Sequence, residues 1–292
     1  AEYEAMDKAA REAGRTTVKT AQESANALEY MALAGWSVED STTALMPVLK
    51  LSAATGADLA TTSDLVTDSM ANLGLGIGDL NHYLDVSATA NNKSNQTAMQ
   101  LQEAYLGVGG VLKNLNSPIE ESAAVLGVLA NRGTKGSEAG TALNAILVNM
   151  QKQSGDAYEA MSKLGVSMYD SSGKARSILD VFQEISDKTS GMTEENRNLM
   201  YQMIGGKSHL DSFAKIMQGF TTDTADGQKE VYSLVNAFKD CDGALDKLYG
   251  IKTDTLEGSL ATLNSAYDDM KISIGESIAP ILKNSVENLT AK

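Results

Sequence analysis

Ser117-Pro118-Ile119-Glu120-Glu121-Ser122-Ala123-Ala124-Val125-Leu126-Gly127-Val128-Leu129-Ala130-Asn131 is the stretch whose reading decides the fold. Ser117 offers a capping hydroxyl, Pro118 stands where a first helical residue needs no N–H partner, and Glu120 is placed to reach back to the cap. Behind this start, residues 123–130 carry only apolar side chains and one glycine. Eight such residues fall well short of the roughly 18 that a membrane-spanning helix requires. The stretch therefore predicts a helix of a soluble, packed body.

Working outward, the same texture repeats. Segments 37–55, 58–73, 79–90, 95–106, 117–131 and 137–153 each read as a helix, separated by Gly and Asn clusters. Ser37-Val38-Glu39-Asp40 is a looser copy of the Ser117 start, and the run from Val38 to Leu45 parallels that from Ile119 to Leu126, a weak repeat about 80 residues long. Between Val166 and Ser177 the pattern changes. Val166-Ser167-Met168-Tyr169 alternates, and Asp170-Ser171-Ser172-Gly173 is a turn cluster, which predicts one small β-hairpin near 166–177. Helical texture resumes over 179–189, 194–204, 210–217 and 223–238.

The ends differ from the middle. Residues 1–34 are Ala-rich with mixed charges and read as one long helix stopping at Gly35. Residues 255–289 place Leu256, Leu260, Leu263, Tyr267, Met270, Ile274 and Ile278 at steps of three or four, an amphipathic helix whose stripe must meet a partner. The expected fold is all-α: an N-terminal long helix over 1–34, a compact core of short Gly-punctuated helices over 35–250, and a C-terminal amphipathic helix over 251–292. The opening Ala1-Glu2-Tyr3-Glu4 has no initiator Met and no basic, apolar leader, so the chain reads as part of something longer.

Composition narrows the function. Of 292 residues, 42% are hydrophobic and only 5% aromatic, with 3 prolines, a profile of packed helices and not of a β-sandwich. A net charge of −14 opposes direct nucleic-acid binding, since no counterion release is gained. One cysteine, Cys241, leaves no internal disulfide, and with His82 and His209 it makes no Cys/His zinc set.

Gly206-Lys207-Ser208 ends like a phosphate loop, but Tyr201 stands where the required glycine belongs, so a helix C-cap at Gly205-Gly206 is the better reading. Gly74-Leu75-Gly76-Ile77-Gly78 and Gly107-Val108-Gly109-Gly110 lack dinucleotide-loop spacing and read as helix-to-helix turns. The stretch from Gly133 to Thr141 is a Gly-rich turn with a cap at Ser137; Ala139, Gly140 and Ala142 behind it favour close helix packing over anion binding. Neither His82 nor His209 lies beside a nucleophile motif, and Cys241 between Asp240 and Asp242 has its thiolate disfavoured. The 13 methionines fall mostly at apolar helix positions, as core filling.

In order along the chain, several motifs resemble the core region of tail tape measure proteins of long-tailed bacteriophages, prophages and phage-tail-like particles. They are Ala34-Gly35-Trp36-Ser37, the run from Leu51 to Leu59 with Gly56 and Asp58, Leu84-Asp85-Val86, Arg132-Gly133 with Gly136, and Ala139-Gly140-Thr141-Ala142-Leu143. Leu164-Gly165-Val166, Ile204-Gly205-Gly206, Ile274-Gly275-Glu276 and Ala279-Pro280 follow, so the resemblance runs from about residue 30 to about 282.

The resemblance implies a structural virion protein with no catalytic, cofactor or metal residues. Such proteins lie as a homo-oligomer in the tail tube lumen, set tail length during assembly and leave ahead of the DNA at genome ejection. The implied partners are tail tube and baseplate or tail-tip proteins, tail assembly chaperones in the host cytoplasm, and the host membrane on ejection. A measuring stretch should be one uninterrupted helix at about 1.5 Å per residue, whereas glycines break this region every 15 or so residues, so this segment is expected to be a compact unit beside the ruler. Two readings stand outside the leading one: a peptidoglycan hydrolase, for which Glu103 and Glu138 are the carboxylates to test, or a helical adaptor holding a partner helix in a Met-lined groove.

Overall fold

A computed structural model describes residues 2–290, with the backbone alone described at 281, 282 and 284–290. Residues 1, 291 and 292, which end the first and last expected segments, lie outside the described residues. The described residues form fifteen α-helices: α1 (Glu2–Thr16), α2 (Ala21–Leu33), α3 (Val38–Thr55), α4 (Leu59–Leu73), α5 (Leu80–Lys93), α6 (Ala98–Asn114), α7 (Ile119–Asn131), α8 (Gly136–Met150), α9 (Asp156–Leu164), α10 (Ile178–Ser190), α11 (Glu194–Gly205), α12 (Leu210–Gly219), α13 (Glu230–Lys239), α14 (Ala244–Thr253) and α15 (Leu256–Thr290). The all-α expectation holds. Contacts divide the chain into two units, residues 1–64 with 246–292, and residues 65–245.

In the first unit, α1 packs on α2, α3 and α15. Small side chains make that packing close: a Cβ on Gly14 would stand 2.6 Å from the backbone N of Ala21. Ala27, Leu28, Met31, Ala44, Leu45, Val48 and Leu49 form the buried apolar layer.

In the second unit, α7 is the central element, touching α5, α8, α12 and α13. All nine residues from Ser122 to Ala130 are buried, as a helix that is apolar all round must be. To one side, α6 crosses α8 with the two backbones nearly touching. Elsewhere an aromatic cluster fills the interior, Phe182 meeting Phe213 and Phe220 at ring-centre distances of 6.2 and 6.0 Å, and Tyr201 meeting Phe213 at 5.2 Å. Two buried tyrosines are satisfied by hydroxyls: Tyr83 by Ser69 at 2.6 Å and Tyr105 by Ser122 at 3.2 Å.

Six expectations need correction. Residues 1–34 make two helices, not one. Thr20 caps α2 through the Glu23 N–H (3.1 Å) while Glu23 accepts from the Thr20 N–H (2.8 Å), a capping box that starts a new helix where one was expected to continue.

The β-hairpin near 166–177 is a turn closed by a single antiparallel bridge, Tyr169 to Ala175, with no strand among the described residues. Asp170 Oδ1 accepts from the N–H groups of Ser172 (2.8 Å) and Lys174 (3.0 Å), and the alternating run is too short to extend the ladder.

Gly107, Gly109 and Gly110 lie inside α6, not in a turn. The absence of a side chain serves close approach there: a Cβ on Gly109 would meet Asn72 Cβ at 2.8 Å.

Residues 223–229 form a bridged turn, so α13 begins at Glu230. Two short helices, α9 and α14, were not expected. Ser117 makes no N-cap bond, its Oγ lying 3.4 Å from the Pro118 carbonyl, and α7 starts at Ile119.

Candidate functional site

The motif residues singled out in the sequence fall into three structural roles. The first is ending and starting helices. Gly35, Gly56, Gly133, Gly136 and Gly165 all have φ between 55° and 90°. Gly165 shows why: with α9 ending in the left-handed conformation, the Gly165 N–H reaches the Ser162 carbonyl and the Val166 N–H the Met161 carbonyl, a closure that a Cβ would strain. Trp36 follows Gly35 half-buried, its N–H on the Met31 carbonyl at 3.1 Å. Asp58 caps α4 by accepting from the Thr61 N–H at 2.8 Å, and this bond holds its carboxyl below the ordinary range.

The second role is close approach. A Cβ on Gly140 would stand 2.1 Å from the Ala104 carbonyl oxygen, and one on Gly107 would stand 3.3 Å from the backbone of Gly140 and Thr141. The sequence Ala139-Gly140-Thr141 is thus the seat of the α6–α8 crossing. Gly205 does the same for α11 against Phe213, whose Cβ would lie 2.8 Å from an added one. Gly275 and Pro280 sit on the exposed part of α15, with nothing within 4 Å of a Cβ on Gly275, and are brought to no site.

The third role is a polar clasp that sequence reading left unassigned beyond Arg132 as a motif residue. Arg132, following α7, reaches Glu230 of α13 at 2.6 Å, Gln218 of α12 at 2.9 Å and the Val128 carbonyl at 3.1 Å, while Asn131 reaches the second oxygen of Glu230 at 2.7 Å. The clasp fastens the C-terminal end of the central helix to α12 and α13. Only the separation of about 100 residues hid Glu230 from the sequence. A second fastening was equally invisible: Asp85 of α5 accepts from the N–H groups of Gly243 (3.0 Å) and Leu245 (2.9 Å).

Burial pushes the Cys241 thiol up to about 11, with Asp85 and Asp242 adding to it, so the thiolate needed for nucleophilic attack is suppressed. Burial also raises the Glu121 carboxyl, against a hydrogen bond from Ser177 at 2.9 Å. His82 pairs with Glu120 at 2.9 Å. His209 lies in a polar hollow of about 420 Å³ with Ser137, Glu138, Thr141, Ser208 and Asp211. Among the described residues no hydrogen bond joins His209 to a hydroxyl or carboxylate there, and Asp211 is paired with Lys215 at 2.6 Å. Glu103 sits beside Gly136, not in this hollow. Gly206-Lys207-Ser208 lies at the end of α11 and in the 3-10 turn after it, with Gly206 as the C-cap. In the first unit α1, α2 and α15 enclose an apolar groove of about 380 Å³, lined by Met6, Ala10, Ala25, Leu28 and Ile272. Among the described residues no group of three or more His, Cys, Asp or Glu could hold a metal ion, and no helix is long and apolar enough to cross a membrane. The best-built features are joints and fastenings between helices.

Residues 7–206 match the profile of a family described as phage-related minor tail protein. The chain is 28% identical over 185 residues to the tape measure protein of Pneumococcus phage Dp-1. That alignment covers 63% of this chain and 16% of the phage protein, so the chain matches only a small part of its relative's length. No solved structure matches the chain.

Proposed function

Because the chain belongs to the phage-related minor tail protein family, its match running over residues 7–206, we propose that it is a structural, non-enzymatic segment of a tape measure protein. In this reading the parent protein lies as several copies in the tail tube lumen, sets tail length during assembly, and leaves ahead of the DNA. The observation that carries it is the 185-residue likeness to a protein named for that role.

The helix lengths support a place for this segment beside the measuring part of such a protein. Its longest helix, α15, has 35 residues, about 52 Å at 1.5 Å per residue, and the others run from 9 to 18. A ruler needs reach, so length is measured by other parts of the parent chain and this segment supplies a folded unit beside them. Partners in this reading are tube and baseplate or tip proteins, with chaperones holding the protein in the host cytoplasm before assembly. Contact with the host membrane on ejection would require α7 and α8 to leave the packing that buries them.

The test is tail length by electron microscopy. In-frame duplications in long helical stretches of the parent protein outside this segment should lengthen tails by about 1.5 Å per added residue. Surface substitutions within 65–245 should leave length unchanged. Unchanged tails after the duplications would refute the reading. A peptidoglycan clearing zone abolished by Glu138→Gln or Glu103→Gln would replace it with the hydrolase reading.

A further inference from the structure

Helices α6 and α8 start side by side. A Cβ on Gly136 would stand 3.9 Å from Gln100 Cγ, and one on Gly140 would press on Ala104, so the two helices run parallel, in step from neighbouring first turns. Parallel helices bring like dipole ends together, each N-terminus carrying about half a positive charge. The α6 end is capped: Thr97 Oγ1 accepts from the Gln100 N–H (3.1 Å) and Gln100 Oε1 from the Thr97 N–H (3.0 Å). The α8 end is not, for Lys135 holds its N-cap position and makes no capping bond.

A hollow of about 200 Å³ lies at these starts, its wall including Asn91, Asn95, Gln96, Gln100 and Lys135. In a chain of net charge −14, no carboxylate belongs to that wall; Glu103, whose Oε2 lies beside Gly136, is not part of it. Lys135 is half-buried and makes no ion pair among the described residues. Gln96 sets the chemistry. It is 5% exposed, and neither the oxygen nor the nitrogen of its side-chain amide has a hydrogen-bond partner. Native proteins pair such a group with protein, water or a ligand. Gln100, which bonds Thr97 through its oxygen, keeps its own amide N–H groups free to donate.

What fills the hollow must bring acceptors for these N–H groups, a donor for the Gln96 oxygen, and negative charge for Lys135 and the two helix ends. A carboxylate or a sulfate has no donor at neutral pH and leaves the Gln96 oxygen unpaired. A sugar or a water has hydroxyl donors and no charge. Hydrogen phosphate has bare oxygens, a P–OH and the charge together. The volume admits it with a little water and falls below the roughly 300–1,000 Å³ of sites for larger ligands.

We propose that the hollow at the starts of α6 and α8 binds inorganic phosphate, with Gln96 donating to one oxygen and accepting from the P–OH, and Lys135 neutralising the charge. The inference rests on this hollow and not on the tail assignment, so either can fail without the other.

The test is isothermal titration calorimetry of the whole 292-residue chain with sodium phosphate, at neutral pH in a buffer without other oxyanions. One site per chain is expected, with sulfate at least about 10-fold weaker, the cost of leaving one buried acceptor unpaired. Gln96→Met, similar in length and without the amide, should erase the preference for phosphate over sulfate. Its Tm without phosphate should stay level or rise, because an unpaired buried amide gives way to an apolar group. Lys135→Gln should weaken phosphate by about threefold or more, whereas Lys93→Gln, outside the wall, should change nothing. Methyl phosphate separates free phosphate from a phosphate ester: it should bind more weakly than inorganic phosphate in mild alkali, where it has lost its P–OH, and approach it below about pH 6, where the proton returns. No phosphate binding at about 10 mM, the level at which a millimolar site is mostly filled, would overturn the proposal. So would equal affinity for sulfate, binding untouched by Gln96→Met, or a fall in the Tm of that variant, which would mark Gln96 as a structural residue.

Discussion

Replacing Gly140 by alanine separates the close-packing account of the Ala139-Gly140-Thr141 motif from a purely helical one. In an unobstructed helix the change is favourable by about 1 kcal/mol, because glycine is the poorest helix former after proline. Here the new methyl would lie 2.1 Å from the Ala104 carbonyl oxygen and 2.8 Å from Ala104 C and Cα. The obstacle is backbone, so no rotamer change relieves it and α6 must move away from α8. Overpacking of this kind costs about 1–3 kcal/mol, and a backbone obstacle belongs at the upper end. The net expectation is a loss of about 2 kcal/mol, or a fall in Tm of about 4–8 °C for a unit of this size. Gly110, in the middle of α6 with nothing within 4 Å of an added Cβ, is the control, and Gly110→Ala should gain up to about 1 kcal/mol. Urea and thermal unfolding followed by far-UV circular dichroism measure both. If Gly140→Ala is as stable as Gly110→Ala, the crossing is not held at the distance described and the motif has another purpose.

Three further outcomes follow from the fastenings. Asp58→Ala should cost about 1 kcal/mol at neutral pH through loss of the α4 cap. Because the folded carboxyl is depressed, that contribution is present above the ordinary aspartate pKa and is lost as pH falls through the folded value, so the urea midpoints of variant and wild type should converge in acid. Glu230→Ala strands the mostly buried Arg132 and should cost about 2 kcal/mol, with a double-mutant cycle against Arg132→Ala giving a coupling of at least about 0.5 kcal/mol. Glu121→Gln has the opposite pH sign. The raised carboxyl makes folding take up protons, so the variant should be the more stable protein at neutral pH and lose that advantage as pH falls below the ordinary glutamate range, read from the same midpoints.

What the sequence made legible follows the range of the forces involved. Local chemistry was readable in part: the Ser37 helix start, the helical segment beginning near Asp58, and the wholly apolar run that became the buried α7, whereas the cap read at Ser117 did not form. The capping box of Thr20 and Glu23 was equally present in the sequence but was outweighed by the Ala-rich helical texture on both sides of it. Gly107, Gly109 and Gly110 misled because a glycine cluster signals a turn unless another helix needs the space, and which helix arrives is a long-range fact. The Arg132–Glu230 and Asp85–Gly243 fastenings bridge about 100 and 160 residues, distances at which no spacing rule operates. The stripe of α15 was visible in outline, but only the structure showed that α1 takes the other face.

In the proposed function this chain is a folded helical part of a phage tail that works by occupying space. A density map of the intact particle decides the matter. The α6–α8 crossing and the helices around α7 should be recognisable within the tail, as part of the assembled particle. Mature tails from which every peptide of residues 7–206 is missing, while the chain accumulates elsewhere in the infected cell, would contradict it.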